Sequence, residues 1–143
     1  MWDERYGKEG FAYGTAPNDF LREHAAKLPA GPVLCLADGE GRNGVFLAER
    51  GYEVTSVDQS RVGLAKAATL AAERGVTIHT EVADLATWDL GQARWSGVVS
   101  ISAHLPPDVR ARVHAGVVRA LRPGGVFLVE AYAPSQLGFG TGG

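Results

Sequence analysis

The chain has 143 residues, 45% of them hydrophobic and 21% charged, with a formal net charge of -2 and no block of Lys or Arg. That length suits one domain with a sizeable core and is short for two, and the scattered cations exclude a phosphate-gripping basic surface, so nucleic acid is not an expected partner. No apolar run reaches membrane-spanning length and the start, MWDERYGKEG, lacks the apolar centre of a signal peptide; the expectation is a cytoplasmic protein without a membrane partner.

In chain order, Trp2, Tyr6, Phe11 and Tyr13 interleave with Gly7, Gly10 and Gly14. Such a segment is either a lid that excludes water or a set of aromatics docking it on the core. APNDFLREHAAKLP follows as a helix with Phe20, Leu21, His24, Ala25 and Leu28 on one broad face and Pro29 as its stop. Residues 1–29 are therefore expected to form a helical and aromatic lid segment. Apolar runs and helical spacing then predict a strand over 33–37, a helix near 43–50, a strand over 53–57, a helix near 60–74 and strands over 76–82 and 96–102. A helix near 107–121, opened by Pro106-Pro107-Asp108 and carrying Val109, Val113 and Val117 one turn apart, precedes a strand over 125–132. Ser60 reads as a helix cap, Gly51 and Gly75 as helix stops, and the glycine-rich 133–143 as a flexible tail. The strands read as apolar on both faces, so alternation of strand and helix predicts a single α/β domain over 1–143. Its form would be a doubly wound, Rossmann-like, mostly parallel sheet with helices on both faces.

In such a sheet the ligand crevice lies beyond the carboxyl ends of the strands. That puts VLCLADGEGRNGVFLAERGYEVTSVD, Val33 to Asp58, at the centre of attention, because Gly39, Gly41 and Gly44 fit G-x-G-x-x-G and Asp58 ends the next strand. A loop built for pyrophosphate keeps carboxylates away, yet Asp38 precedes Gly39 and Glu40 lies between the first two glycines. A ligand with a cationic group suits it better, and S-adenosylmethionine carries a sulfonium and an ammonium as well as ribose hydroxyls for Asp58.

VLCLADGEGRNGVFLAERGYEVTSVDQS resembles motif I and the second-strand acid of class I S-adenosylmethionine-dependent methyltransferases. VADL at 82–85 is similar to their adenine-contacting turn, and LRPGGVFLVEAY at 121–132 to their shared turn and fifth strand. More narrowly, GEGRNGVFLA, SAHLP and FGTGG resemble the tellurite-resistance and thiopurine methyltransferase-like branch. The resemblance implies five strands in the order 3-2-1-4-5 and methyl transfer to a small-molecule acceptor. The family's sheet normally adds an antiparallel pair after the fifth strand, which this chain is expected to lack. VFLVEAY would then be an apolar edge suited to homo-oligomer formation.

Ala37, Asp38, Gly39, Gly41, Asp58, Gln59, Asp84, Leu85 and Ser102 are the expected cofactor-binding residues. Asp38 would meet the ammonium or cap the following helix, and Asp58 would take the ribose hydroxyls or cap the next helix. Asp84 would accept from the adenine amino group while Leu85 packs on the ring; the plainer alternative is a common Asp turn. Gly39 and Gly41 would let backbone approach the ligand, or serve the turn alone. His104 and Tyr13 are candidate catalytic groups, and Ser102 and Ala103 would line the crevice. Cys35 reads as a small buried hydrophobe, and His24, His79 and His114 lack partners at metal-ligand spacing. Two other classes fit less of the pattern: an NAD-binding oxidoreductase, which leaves Asp38 and VADL without a purpose, and a non-catalytic cofactor-binding or assembly module.

Overall fold

A computed structural model describes residues 17–39, 41–101 and 105–130. The first described helix, α1 (Asp19–His24), starts where Asn18 accepts the backbone N–H of Leu21 at 3.0 Å and continues into a 3-10 turn, Ala25–Lys27. Then come β1 (Pro32–Leu36), α2 (Arg42–Glu49), β2 (Glu53–Asp58), α3 (Arg61–Glu73) and β3 (His79–Val82). β4 (Trp95–Ile101), α4 (Pro107–Ala120) and β5 (Leu121–Glu130) complete the order. Ser60 caps α3 as expected, its Oγ accepting from Gly63 N at 2.9 Å.

All five strands are parallel, in the order β3-β2-β1-β4-β5, as the sequence predicts. β1 is buried along almost its whole length, and its alternating side chains feed two cores. Val33 and Cys35 face Leu21, Ala25 and Leu28 of the N-terminal segment together with Leu47 of α2. Leu34 and Leu36 face Val113, Val117 and Ala120 of α4. This two-sided burial is what a sheet covered by helices on both faces requires.

Two expectations need correction. The strand over 76–82 is shorter, His79–Val82, and all four residues are exposed. β3 is the edge of the sheet, so its β-branched residues meet β2 on one side and solvent on the other; Val82 is 46% exposed. β5 begins earlier than position 125, because Leu121 already pairs with Trp95 before the register shifts and Val126 pairs with Gly97. RPGG at 122–125 makes that irregularity, with Gly124 at φ 80°. β5 is the opposite edge, and most of it is only half-buried.

Polar bonds fasten the N-terminal segment across the sheet. Tyr52 donates its hydroxyl to Leu28 O at 2.7 Å, and Gly97 leaves room for Leu28, whose Cδ2 would stand 2.6 Å from an added Cβ. Asn18 donates its backbone N–H to Asn43 Oδ1 at 2.8 Å and its side-chain amide to Glu130 Oε1 at 3.0 Å. These bonds bring the start of α1 to the first turn of α2 and the carboxyl end of β5. Among the described residues no helix is long and apolar enough to cross a membrane.

Candidate functional site

The carboxyl ends of β1, β2 and β3 bring Ala37, Asp38, Gly39, Asp58 and Asp84 to one edge of the sheet. Ala37 leaves β1 with φ 53°, a conformation unusual for a residue with a Cβ, and donates its N–H to Val57 O at 2.7 Å. That turn bends the chain across the end of β2, where Gly39 donates to Asp58 Oδ2 at 2.9 Å. The other oxygen of Asp58 accepts from Ser60 N at 2.9 Å. One carboxylate, 8% exposed, therefore fixes both the glycine loop and the entry to α3. Asp58 does not itself cap α3: the cap is Ser60, whose backbone N–H Asp58 accepts.

Asp38 is half-buried and turns toward the interior. Its Oδ2 accepts the Ser56 hydroxyl at 2.9 Å, and it also accepts the backbone N–H of Gly44 in the first turn of α2. The helix-capping role anticipated for Asp38 is thus present. Burial raises its carboxyl from 3.8 to about 7; the Ser56 bond opposes this, the Asp58 charge adds to it, and Gly44 N–H and Arg42 offset only part. A carboxylate so short of compensating charge is suited to a cationic ligand group.

The three glycines divide their labour. Gly39, at φ 61°, carries the bond to Asp58. Gly41, at φ 91°, caps α2 and lies against α3: an added Cβ would sit 2.5 Å from Ala67 Cβ and 2.8 Å from its Cα. At Gly44 the same atom would be 2.6 Å from Asp38 Oδ2 and 2.7 Å from Ser56 Oγ. Close packing explains Gly41 and Gly44, while Gly39 donates to Asp58 and Gly44 to Asp38.

After β3, Asp84 is exposed and its Oδ1 accepts from Ala86 N at 2.8 Å, an Asx turn. Leu85 is 3% exposed and belongs to the core with Leu36 and Val113, so its side chain is directed into the protein rather than offered at the surface. Gln59 is exposed beside Asp58. Tyr13, Glu40, Ser102, Ala103 and His104 lie outside the described residues.

Ser56, Asn18, Asn43 and Arg112 were missed by sequence reasoning. Ser56 had a signal, a hydroxyl in the middle of an apolar strand, where it is fully buried. Asn43 is 7% exposed in the glycine motif. Asn18 and Arg112 act through tertiary contacts that no local pattern announces. Cys35 is buried and its thiol is raised well above the ordinary range, first by burial and then by Asp38.

A parallel sheet in this order, with an acid at the end of β2 holding a glycine loop at the end of β1, defines a Rossmann-like nucleoside-binding architecture. A family model described as a methyltransferase domain matches residues 33–125, and the chain belongs to that family. A curated relative, the 2-heptyl-1-hydroxyquinolin-4(1H)-one methyltransferase of Mycobacteroides abscessus, is 30% identical over 105 residues, 71% of this chain and 46% of the relative. The chain thus spans about half the length of the curated relative it matches. An S-adenosylmethionine-dependent methyltransferase structure from Mesorhizobium loti superimposes with a TM-score of 0.67 at 33% identity, covering 79% of this chain and 53% of that one. The glycopeptide N-methyltransferase MtfA, solved with S-adenosyl-L-methionine, gives 0.66 at 31% identity over 82% of this chain and 50% of its own.

Proposed function

We propose that the protein binds S-adenosyl-L-methionine and transfers its methyl group to a small-molecule acceptor by in-line displacement. The observation that carries this reading is Asp38: a carboxylate drawn into the end of β1, raised to about 7 and only partly compensated, beside a second acid at the end of β2. That donor set fits a ligand with an ammonium at one end and ribose hydroxyls at the other. Asp38 would hold the ammonium directly or through water, Asp58 the hydroxyls, and Asp84 the adenine amino group. Bound S-adenosylmethionine supplies an electrophilic methyl on sulfur. Alignment and exclusion of water carry most of the catalysis when the acceptor is soft, such as a thiol or chalcogen anion. His104 and Tyr13 are the catalytic candidates, with Ser102 lining the crevice.

The finer reading is the tellurite-resistance and thiopurine-like branch, supported by GEGRNGVFLA, SAHLP and FGTGG, in a cytoplasmic protein. The expected lid segment over 1–29 falls mostly, and the expected tail over 133–143 wholly, outside the described residues. Edge-to-edge pairing through β5 would give a homo-oligomer. The second reading is a module that binds the cofactor without turning it over.

The test is calorimetric titration with S-adenosylmethionine, S-adenosylhomocysteine and NAD in parallel. Binding of the first two alone supports the proposal; binding of NAD alone overturns it, as does silence from all three. Asp38→Ala should abolish S-adenosylmethionine binding. Turnover across an acceptor panel then separates enzyme from binding module.

A further inference from the structure

Among the described residues, Arg112 joins the turn after β3 to the helix layer by hydrogen bonds. Asp84 shapes the turn locally: besides its carboxylate bond to Ala86, its carbonyl accepts from Thr87 N at 3.0 Å and Trp88 N at 2.9 Å. These short-range bonds set the form of the turn without fixing where it stands relative to the sheet. Leu85 anchors it from below, buried among the α4-facing core residues. Arg112, from the middle of α4, reaches it from the side, where its Nη1 donates to Leu85 O at 2.9 Å and Trp88 O at 3.2 Å.

We propose that Arg112 is a positioning residue for the adenine of the cofactor, a brace that holds the Asp84 carboxylate at the place where the 6-amino group is read. The inference rests on the S-adenosylmethionine reading above. Its physical basis is that Leu85 O lies within the Asx turn and Trp88 O in the backbone turn that continues from it. A donor shared between them fixes the turn as a unit, and the rest of the guanidinium adds a rigid plane that a lysine stem lacks. Arg112 bonds backbone carbonyls of the turn, so it acts through Asp84 rather than on the ligand.

The experiment compares wild type, Arg112→Met and Arg112→Lys, titrated with S-adenosylhomocysteine and with its hypoxanthine analogue, in which a carbonyl replaces the 6-amino donor. Wild type should prefer the adenine compound by about tenfold or more, as a site built around a hydrogen bond does. In R112M that preference should shrink by about fivefold, with R112K intermediate, and amide exchange at Ala86, Thr87 and Trp88 should quicken. Equal weakening of both ligands, or an unchanged preference, overturns the brace while leaving the cofactor reading intact. Failure of wild type to bind S-adenosylhomocysteine overturns the cofactor reading and the brace with it. Should R112M not fold, R112K carries the same comparison.

Discussion

On the proposed reading, cofactor affinity should depend on pH through Asp38. In the free protein its carboxyl titrates at about 7, raised chiefly by burial, with Asp58 of β2 adding to the shift and Ser56, Gly44 N–H and Arg42 of α2 opposing it. A ligand ammonium requires the carboxylate, so binding expels the proton and affinity rises with pH. The ionised fraction falls from about nine-tenths at pH 8 to about one-tenth at pH 6, which predicts a roughly tenfold loss of affinity over that interval. On the alkaline side an ordinary α-amino group titrates near 8, so the acid limb is read below that. Calorimetry of S-adenosylhomocysteine in buffers of different ionisation enthalpy should register about half a proton released per ligand near pH 7. Asp38→Asn should bind weakly and lose the acid limb. Flat wild-type affinity from pH 6 to 8, or the same limb in D38N, would refute the reasoning.

The same shift acts on stability. A carboxyl raised in the fold contributes stability that is complete below its unfolded value near 4 and is lost as pH rises through about 7. D38N should therefore melt higher than wild type at pH 8 and lose that advantage toward pH 4, by circular dichroism. Gly41→Ala should lower stability by about 2 to 4 kcal/mol, since its Cβ would overlap Ala67 at a positive φ; a urea titration reads this, and near-neutrality would contradict the packing role. Cys35 should resist thiol reagents in the native protein and react on unfolding, because it is buried and its thiol is held protonated; rapid native labelling would contradict this. Asn18→Ala removes a helix cap and the side-chain bond to Glu130, while the backbone bond to Asn43 survives, and should lose about 1 to 2 kcal/mol in the same urea assay.

Much of this architecture is legible because local chemistry and global topology agree. Two-sided apolar runs such as VLCL mark central strands, and Ser60 marks the start of α3 where its hydroxyl does cap it. The reading failed where position in the sheet overrides composition. VTIHTEV has the β-branched residues of a strand, but whether such a strand is covered depends on neighbours that the segment does not encode; at the edge it is short and exposed. Asp38, Asp58 and Asp84 converge at strand ends as the spacing implied. The partition of the glycines was not visible, because a motif does not reveal that Ala67 will lie against Gly41. Nor was Arg112, whose partners are backbone carbonyls and leave no trace in composition.

The junction at Asn18 has a consequence for the order in which the chain acquires structure. Its amide meets Glu130 across 112 positions, so an element made well ahead of β5 finds one of its partners only when the last described strand has emerged. Until then Asn18 can cap its own helix, and α1 can rest on Leu28 and Tyr52, but it lacks the tether to β5. Contacts of such long range close late and slow the approach to the native state. The start of α1 would become rigid only after β5 is made, and a nascent chain halted before Glu130 should show faster amide exchange at Leu21 than the chain that includes β5.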